Sequence, residues 1–264
     1  MVRCRTVVTP RYELVDRLGV ANWIFYPRRE HTPAPEGAED HIVPVPGARL
    51  VCRLYVHGND LPTVLYFHGN GEVVSDHDAV APLFARCGAN LFVAEYRGYG
   101  ASDGTPAFAT LFSDAHAVLV YLRAHLERRG FPARVVVFGR SLGGFPACEL
   151  AAAAPDLRGL ILESAAVNLR RLVARAAGPG RDGELDELVR GHEARLRAIR
   201  VPTLWIHGER DELIPLESAA EAFERIGSSE KEFVLIPGAG HNDILWRGLE
   251  RYVGAVSEFI ARYG

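Results

Sequence analysis

The chain has 264 residues, of which 48% are hydrophobic and 24% are charged, and its formal net charge is -3. This composition is typical of an ordinary globular protein, and a chain of this length can fold as one large α/β domain. The net charge gives no sign of the basic stripe that nucleic-acid binding requires, and the arginines are scattered among acids, so we expect no nucleic-acid partner.

The sequence also argues against export and against a membrane span. Residues 1–6 lack the apolar run of a signal peptide, and no stretch approaches eighteen consecutive apolar residues. We therefore expect a cytoplasmic protein with no transmembrane segment. The cysteines (Cys4, Cys52, Cys87 and Cys148) show no metal-binding spacing, so we expect packed thiols and no metal site.

The first sixty residues give weak signals. Short extended pieces are predicted at 23–26 and 49–56. Residues 27–47, rich in proline, glycine and charge, are predicted to form a surface loop. The run His57–Asp60 is predicted to be a hairpin turn into the next strand.

From residue 63 onward, buried strands alternate with helices. The predicted strands are 63–67, 91–95, 135–138, 159–163, 203–207 and 232–236; the predicted helices are 76–87, 107–127, the segment after residue 141, 216–226 and 244–262. This alternation predicts a mostly parallel sheet with helices on both faces, in a single α/β domain covering residues 1–264.

One connection is longer than a usual crossover. Residues 166–200 separate two predicted strands and contain helical patterns at 166–177 and 184–199, interrupted by glycine and proline at 178–183. We interpret 166–200 as a small lid insertion over the site, because long insertions at such an edge are often functional. The alternative is an ordinary crossover helix followed by a loop.

The sequence Gly139-Arg-Ser-Leu-Gly143 follows a strand of β-branched residues and precedes an alanine-rich helix. This strand–turn–helix context is that of a nucleophile elbow, in which a sharp turn exposes a serine hydroxyl above the sheet. Glycines at such a turn remove Cβ atoms where the strand and helix backbones approach closely. We therefore predict Ser141 as a nucleophile.

A second G-x-S-x-G sequence lies at Gly100–Gly104 and places a serine at position 102. Ser102 comes seven positions after the predicted strand 91–95, and a turn-forming segment follows it. Only the structural context can choose between two such matches. That context favours Ser141 and predicts Ser102 as a loop residue.

A serine nucleophile needs a histidine base and an acid that orients the histidine. In folds that carry a nucleophile elbow, the three residues follow in the chain order Ser, Asp or Glu, His. Asp211 follows the predicted strand 203–207, and His241 follows the predicted strand 232–236, between glycine and asparagine. We predict Asp211 as the acid and His241 as the base. Other carboxylates that could serve as the acid are Glu163, Glu209 and Asp243.

The remaining histidines near these strands are expected to be structural. His68 is expected to brace a loop, His207 to end a strand, and His192 to lie on the surface of the insertion.

The developing oxyanion requires two N–H donors. The backbone of Leu142, directly after the nucleophile, is predicted to supply one of them. The second is predicted to be the backbone N–H of Asn70, which lies between two glycines after the strand 63–67. The alternative for Asn70 is an ordinary turn.

Together, His68–Gly71, Tyr96–Gly100, Gly139–Gly143, His207–Asp211 and Gly240-His241 resemble the α/β-hydrolase superfamily in order and spacing. They look most like its small-lidded serine hydrolases: the esterases, lipases and serine-aminopeptidase-like members. The resemblance runs from about residue 43 to the C-terminus. It implies an eight-stranded sheet and acyl hydrolysis without a cofactor.

We therefore expect a serine hydrolase that cleaves a carboxylic ester or thioester of a small-molecule acyl substrate. Apolar residues near the site (Val73, Phe145 and Trp246) are predicted to contact the acyl group, and Glu72 is predicted to contact a substrate amine if one is present. The alternatives are a peptidase or amidase, an acyltransferase on the same residues, and a non-catalytic ligand-binding protein of the same fold.

Overall fold

A computed structural model describes residues 10–176 and 182–264 of the chain. Its strands are β1 (Ala38–Val45), β2 (Ala48–Tyr55), β3 (Thr63–Phe67), β4 (Asn90–Ala94), β5 (Val135–Arg140), β6 (Gly159–Glu163), β7 (Thr203–Gly208) and β8 (Lys231–Ile236). They form one eight-stranded sheet in the order β1-β2-β4-β3-β5-β6-β7-β8.

The helices within the described ranges are α1 (Glu13–Arg17), α2 (Ala21–Ile24), α3 (Ala81–Arg86), α4 (Phe108–Arg129), α5 (Gly144–Ala153), α6 (Leu169–Ala176), α7 (Asp182–Ala198), α8 (Leu216–Arg225) and α9 (Ile244–Tyr263). Two hydrophobic cores cover the two faces of the sheet. Helices α4 and α5 contribute to one core, and α3 and α9 contribute to the other. The predicted sheet with helices on both faces is confirmed.

Strand direction determines where a site can form. The β1–β2 and β2–β4 pairs are antiparallel, whereas every pair from β4 through β8 is parallel. The carboxyl ends of β3, β5, β7 and β8 therefore meet at one edge of the sheet. Loops at that edge are where function gathers in such folds.

The prediction of a surface loop over 27–47 was wrong for its second half, which forms β1. This edge strand has one face exposed, and burial alternates along it, with His41, Val43 and Val45 facing inward. Pro44 is compatible with an edge strand because not every edge N–H needs a partner. The predicted hairpin at His57–Asp60 was also wrong, because β4 lies between β2 and β3.

The N-terminal segment packs against helix α4. The ring of Tyr12 stacks on Phe112 with 3.6 Å between centroids. The carboxylate of Asp16 accepts the backbone N–H groups of Phe108 and Ala109 at 2.6 and 3.0 Å and so caps the first turn of α4. The prediction of an extended segment at 23–26 was wrong for residues 23 and 24, which form the end of helix α2.

The insertion between β6 and β7 contains α6 and α7, as the periodicity predicted. Residue 177, the predicted end of the first helix, and residues 178–181 of the predicted break lie outside the described part of the chain. Helix α7 contacts α5, α6 and α8. The expectation that His192 lies on the surface was wrong: it is 3% exposed, with Nδ1 2.9 Å from the Tyr12 hydroxyl and Nε2 2.9 Å from the carbonyl of Val167. That residues 166–200 act as a lid stays a prediction.

Cys52, Cys87 and Cys148 are buried free thiols, while Cys4 lies outside the described residues. Within the described ranges, no helix combines the length and the apolar character needed to cross a bilayer.

The burial of His192 predicts a specific pH dependence of stability. Burial lowers its pKa from 6.5 to about 4. The unfolded chain therefore takes up this proton at higher pH than the folded chain, and the free energy of unfolding should fall as pH decreases from about 6.5 to about 4. Urea unfolding at pH 7 and pH 5 measures this loss. We expect His192→Gln to reduce the pH-dependent loss relative to wild type; equal losses in the two proteins would contradict the assignment.

Candidate active site

Strand β5 ends at Arg140, and Ser141 begins a short 3-10 turn that leads into α5. The backbone of Ser141 has φ of 49°, in the left-handed region that residues other than glycine rarely adopt. Such strain persists only where the surrounding structure enforces it. Here the turn holds the serine side chain at the carboxyl edge of the sheet.

The glycines of the turn are required by close contacts. A Cβ on Gly139 would lie 2.5 Å from the carbonyl oxygen of Gly143, and a Cβ on Gly143 would lie 2.0 Å from the carbonyl oxygen of Phe67. The turn packs so closely against its own helix and the end of β3 that no side chain fits at either position. The expected role of these glycines is confirmed.

Ser141, His241 and Asp211 form a hydrogen-bonded row. The Oγ of Ser141 lies 2.9 Å from Nε2 of His241, and Nδ1 of His241 lies 2.8 Å from Oδ2 of Asp211. Because an ionised carboxylate only accepts, Nδ1 of His241 donates to Asp211 and Nε2 accepts the serine proton. Residues 141, 211 and 241 thus meet although they come from three separate loops.

Asp211 is held in its charged form. Its second oxygen, Oδ1, accepts the backbone N–H groups of Leu213 and Ile214 at 3.0 and 2.8 Å. Burial alone would raise the pKa of Asp211, but the hydrogen bonds from His241 and from Ile214 lower it below its ordinary value. The aspartate is therefore ionised at neutral pH and can stabilise a charged imidazolium.

The rival carboxylates bind other partners. Glu163 accepts from Arg140 and from the hydroxyl of Tyr252 at 3.1 and 2.9 Å. Glu209 accepts the N–H of Gly238, and Asp243 accepts that of Gly240. Among the described residues, the carboxylate that meets the His241 ring is that of Asp211.

His68 and His207 brace loops. The ring of His68 lies between Glu95, at 2.6 Å, and the carbonyl of Gly69, at 2.8 Å. His207 lies in β7, with Nε2 2.9 Å from the carbonyl of Ile214, in the same loop as Asp211. Burial lowers the pKa of His207, so a neutral ring supports this loop.

Ser102 is a buried loop residue, as predicted. Its Oγ accepts the backbone N–H of Val51 at 2.9 Å, and its side chain is fully enclosed.

A cavity of about 590 Å³ opens beside the row. Its lining is mostly apolar and consists of Trp23, Ile24, Tyr26, Asn70, Ser141, Leu142, Phe145, Ala166 and Leu172. A smaller apolar cavity of about 130 Å³ continues from it and shares Trp23, Phe145, Ala166 and Leu172. Both residues predicted to stabilise the oxyanion, Asn70 and Leu142, therefore face the same space as Ser141.

The side chain of Asn70 is fixed by three partners. Its Oδ1 accepts the hydroxyl of Tyr99 at 2.7 Å and the backbone N–H of Tyr26 at 3.0 Å, and its Nδ2 donates to the carbonyl of Ile24. The amide group is thus engaged in anchoring the N-terminal segment. The backbone N–H groups of Asn70 and Leu142 remain the predicted oxyanion donors.

Of the predicted substrate-binding residues, the structure brings Phe145 to the cavity but not the other three. Val73 is fully buried in the core, and Trp246, 91% exposed at the start of α9, is not part of the lining. Glu72 forms an ion pair with Arg140 and accepts the N–H of Gly69 at 2.9 Å. It is therefore not a free charge for a substrate amine.

Sequence reasoning missed the contribution of Trp23, Ile24 and Tyr26 to the cavity wall. No motif marks this segment, and its apolar run was the only available signal.

Arg140 was also missed, and it links the loops around the site. Its guanidinium contacts Glu72 and Glu163, and Nη2 donates to Oδ1 of Asn242 at 2.9 Å, next to His241. Burial alone would raise the pKa of Glu72, but the charge of Arg140 and the N–H of Gly69 hold it below its ordinary value. Burial raises the pKa of Glu163 although Arg140 opposes the shift.

The sequence profile of one family, described as serine aminopeptidase, S33, matches residues 59–180 and 184–245. The chain belongs to this family. Its members are serine hydrolases of the α/β-hydrolase superfamily, so the predicted superfamily is confirmed. Membership of this family identifies the protein as a hydrolase.

Among curated proteins, this S33-family chain is 30% identical over 207 residues to "Protein bem46" of Schizosaccharomyces pombe, covering 76% of this chain and 67% of that protein. It is 31% identical over 222 residues to human "Alpha/beta hydrolase domain-containing protein 17B", covering 82% and 72% of the two chains. The chain thus spans about two thirds of the length of these relatives.

Among solved structures, the S33-family chain resembles the Pyrococcus furiosus esterase Pf2001, with a TM-score of 0.73 and 20% identity over 90% of this chain and 98% of that one. It also resembles Est1E of Butyrivibrio proteoclasticus with bound ferulic acid, with a TM-score of 0.67 and 22% identity over 84% and 98%. At these identities the likeness shows the fold.

The Arg140 ion pairs predict a large difference between two arginine substitutions at this edge. Arg140→Gln leaves the buried carboxylate of Glu163 and the partly buried carboxylate of Glu72 without their cation. It should lower the free energy of unfolding by about 3–5 kcal/mol. Arg247→Gln breaks the exposed pair with Asp243 and should cost much less, because solvent screens that pair. Urea unfolding at pH 7 compares the two variants. Equal, small losses would contradict the supporting role of Arg140.

Proposed function

We propose that the protein hydrolyses carboxylic ester or thioester bonds through an acyl-enzyme at Ser141. The observation that carries this proposal is the row Ser141–His241–Asp211, with both hydrogen bonds at or below 2.9 Å, beside an apolar cavity. Nucleophile, base and orienting acid are thereby within reach of one another before substrate arrives.

In the first half of the reaction, the Oγ of Ser141 attacks the acyl carbon while Nε2 of His241 takes the serine proton. Asp211 keeps the ring in the required tautomer and stabilises its positive charge. The tetrahedral intermediate collapses, and His241 passes the proton to the departing alcohol or thiol. The acyl group is then bound to Ser141 as an ester.

In the second half, water takes the place of the leaving group. His241 removes a proton from water, which attacks the acyl carbon, and then returns the proton to the serine oxygen. The products are a carboxylic acid and the free enzyme, so the proton balance closes without an added group.

The negative oxygen of both tetrahedral intermediates needs preorganised donors. We propose the backbone N–H groups of Asn70 and Leu142, since both residues line the cavity with Ser141. Losing one such donor typically costs about 10²–10³ in turnover.

The lining of the cavity favours an ester or thioester over an aminopeptidase substrate. An aminopeptidase must pair the free ammonium group of its substrate with an acid or another strong acceptor. Among the described residues that line the 590 Å³ cavity none is acidic, and the nearby Glu72 is paired with Arg140. The smaller apolar cavity beyond Phe145 supports an acyl group of modest size.

Ser141→Ala should abolish covalent labelling by a fluorophosphonate, because the probe needs an activated serine. Hydrolysis of a nitrophenyl ester should fall by at least about 10³-fold. Gel fluorescence and an absorbance assay measure the two effects.

Ser102→Ala is the matched control, since it changes the serine of the other G-x-S-x-G sequence. Its labelling should survive, with folding checked by circular dichroism. Labelling that persists in Ser141→Ala would overturn the assignment. A wild-type protein that neither labels nor turns over would favour a non-catalytic ligand-binding role.

Narrowing the cavity should shorten the acyl chain that the enzyme prefers. Ala166 lines both cavities, so Ala166→Leu fills part of the space. Each methylene that can no longer be buried is worth about 0.8 kcal/mol, or about fourfold in kcat/KM. A chain-length series of nitrophenyl esters measures the optimum. Trp246→Ala, outside the cavity, should leave the profile of wild type intact; an unchanged profile in Ala166→Leu would contradict acyl binding here.

A further inference from the structure

Two histidines and a glutamate converge at the edge strand β1, which three strands separate from β5 and the candidate active site. Glu39 and His41 lie two residues apart on the edge strand β1, so their side chains share one face. His125, on helix α4, packs against this face. The His41 and His125 rings lie 4.5 Å apart between centroids and cross at 81°.

Both imidazoles carry a buried nitrogen that lacks a hydrogen-bond partner among the described residues. These nitrogens are Nε2 of His41 and Nε2 of His125, and each residue is only 7% exposed. A buried polar atom without a partner costs free energy, and such atoms are uncommon in native structures. The two orphaned nitrogens therefore point to a group that binds them.

The contact that His41 makes through Nδ1 leaves its Nε2 available to bind a ligand. Its Nδ1 lies 3.1 Å from the hydroxyl of Tyr121, which can accept the Nδ1 proton. A hydrogen bond of this kind fixes ring orientation and leaves the Nε2 lone pair for a ligand.

We propose that Glu39, His41 and His125 form a binding site for a divalent transition metal ion of the zinc class. One ligand atom from each of the three residues lies within 4.8 Å of the others, and Nε2 of His41 is 3.8 Å from the Glu39 carboxylate. Ligands about 2 Å from a tetrahedral zinc ion lie about 3.4 Å apart, so a small inward movement completes the site. The half-exposed Glu39 side chain has the freedom to make this movement.

Two imidazole nitrogens and one carboxylate oxygen are donors that suit zinc rather than calcium or magnesium, which take oxygen ligands. Three protein ligands leave the fourth position for water. The ion would join β1, which is the edge strand of the described sheet and pairs there with β2, to helix α4. Its effect is therefore on stability, since three strands separate β1 from β5, which carries Ser141.

The guanidinium of Arg129 disfavours binding of a metal ion at this site. Its Nη1 donates to both oxygens of Glu39 at 3.2 and 3.3 Å and adds a positive charge next to the site. The pair is exposed and therefore weak, so a divalent ion can compete for the carboxylate.

The test is a titration of the chelator-treated full chain with Zn²⁺ by calorimetry. We expect one ion per chain in wild type and a rise in Tm of about 5 °C at a hundredfold excess over Kd. Glu39→Gln should weaken binding at least tenfold, and His125→Gln should abolish it. Arg129→Gln should tighten binding, because it frees the carboxylate and removes the repelling charge.

His116→Gln is the matched control, since it changes another histidine of α4 and should leave the affinity of wild type unchanged. Glu39 is exposed, so its variant tests the site even if His125→Gln fails to fold. Absence of binding at millimolar Zn²⁺ would overturn the proposal. So would equal affinity in wild type and Glu39→Gln, because the ion would then bind elsewhere.

Discussion

The guanidinium of Arg140 lies between two carboxylates, and the loops of the candidate active site are arranged around it. Glu72 belongs to the loop after β3, Glu163 ends β6, and Asn242 lies next to His241. Arg140 itself precedes Ser141, so one side chain links the elbow to the loops that carry the proposed oxyanion donor and the proposed base. A largely enclosed cation between two acids is costly to leave unpaired, and this cost maintains the arrangement.

Backbone contacts add a second constraint at the same edge. Gly143 approaches the carbonyl of Phe67 so closely that no Cβ fits, and the carbonyl of Ser141 accepts the N–H of Ala166 at 2.8 Å. The elbow is therefore fixed against β3 on one side and against the start of the insertion on the other. Preorganisation of this kind is what acyl transfer requires, because the donors and the base must be in place as charge develops.

Much of the fold could be predicted from sequence. Strands such as β3, β5 and β7 are short apolar runs buried on both faces, and turns bound them clearly. Strand β1 could not be recognised in this way, because one face is exposed and charged residues and a proline lie within it. The order of β2, β4 and β3 depends on tertiary packing. The turn-like run at His57–Asp60 could not predict that β4 lies between β2 and β3.

The candidate site was predictable where chain order carries information, as for Ser141, Asp211 and His241. The partners of Arg140 were not, because Glu72 lies 68 residues away in sequence and no motif links the two. The same holds for Trp23 and Tyr26, which line the cavity in a segment that Asn70 anchors through Ile24 and Tyr26. Glu72 illustrates the converse: its position beside the oxyanion loop suggested a substrate contact, whereas its charge is used within the protein.

Trapping the acyl-enzyme would show directly whether Ser141 is the nucleophile. Wild-type protein is mixed with nitrophenyl butyrate, quenched in acid during the first turnover and mapped by peptide mass spectrometry. We expect a butyryl group on the peptide that contains Ser141, with nitrophenolate released in a burst of one equivalent per chain. Turnover that leaves Ser141 unmodified, or a butyryl group found on another residue, would contradict a nucleophilic role for Ser141.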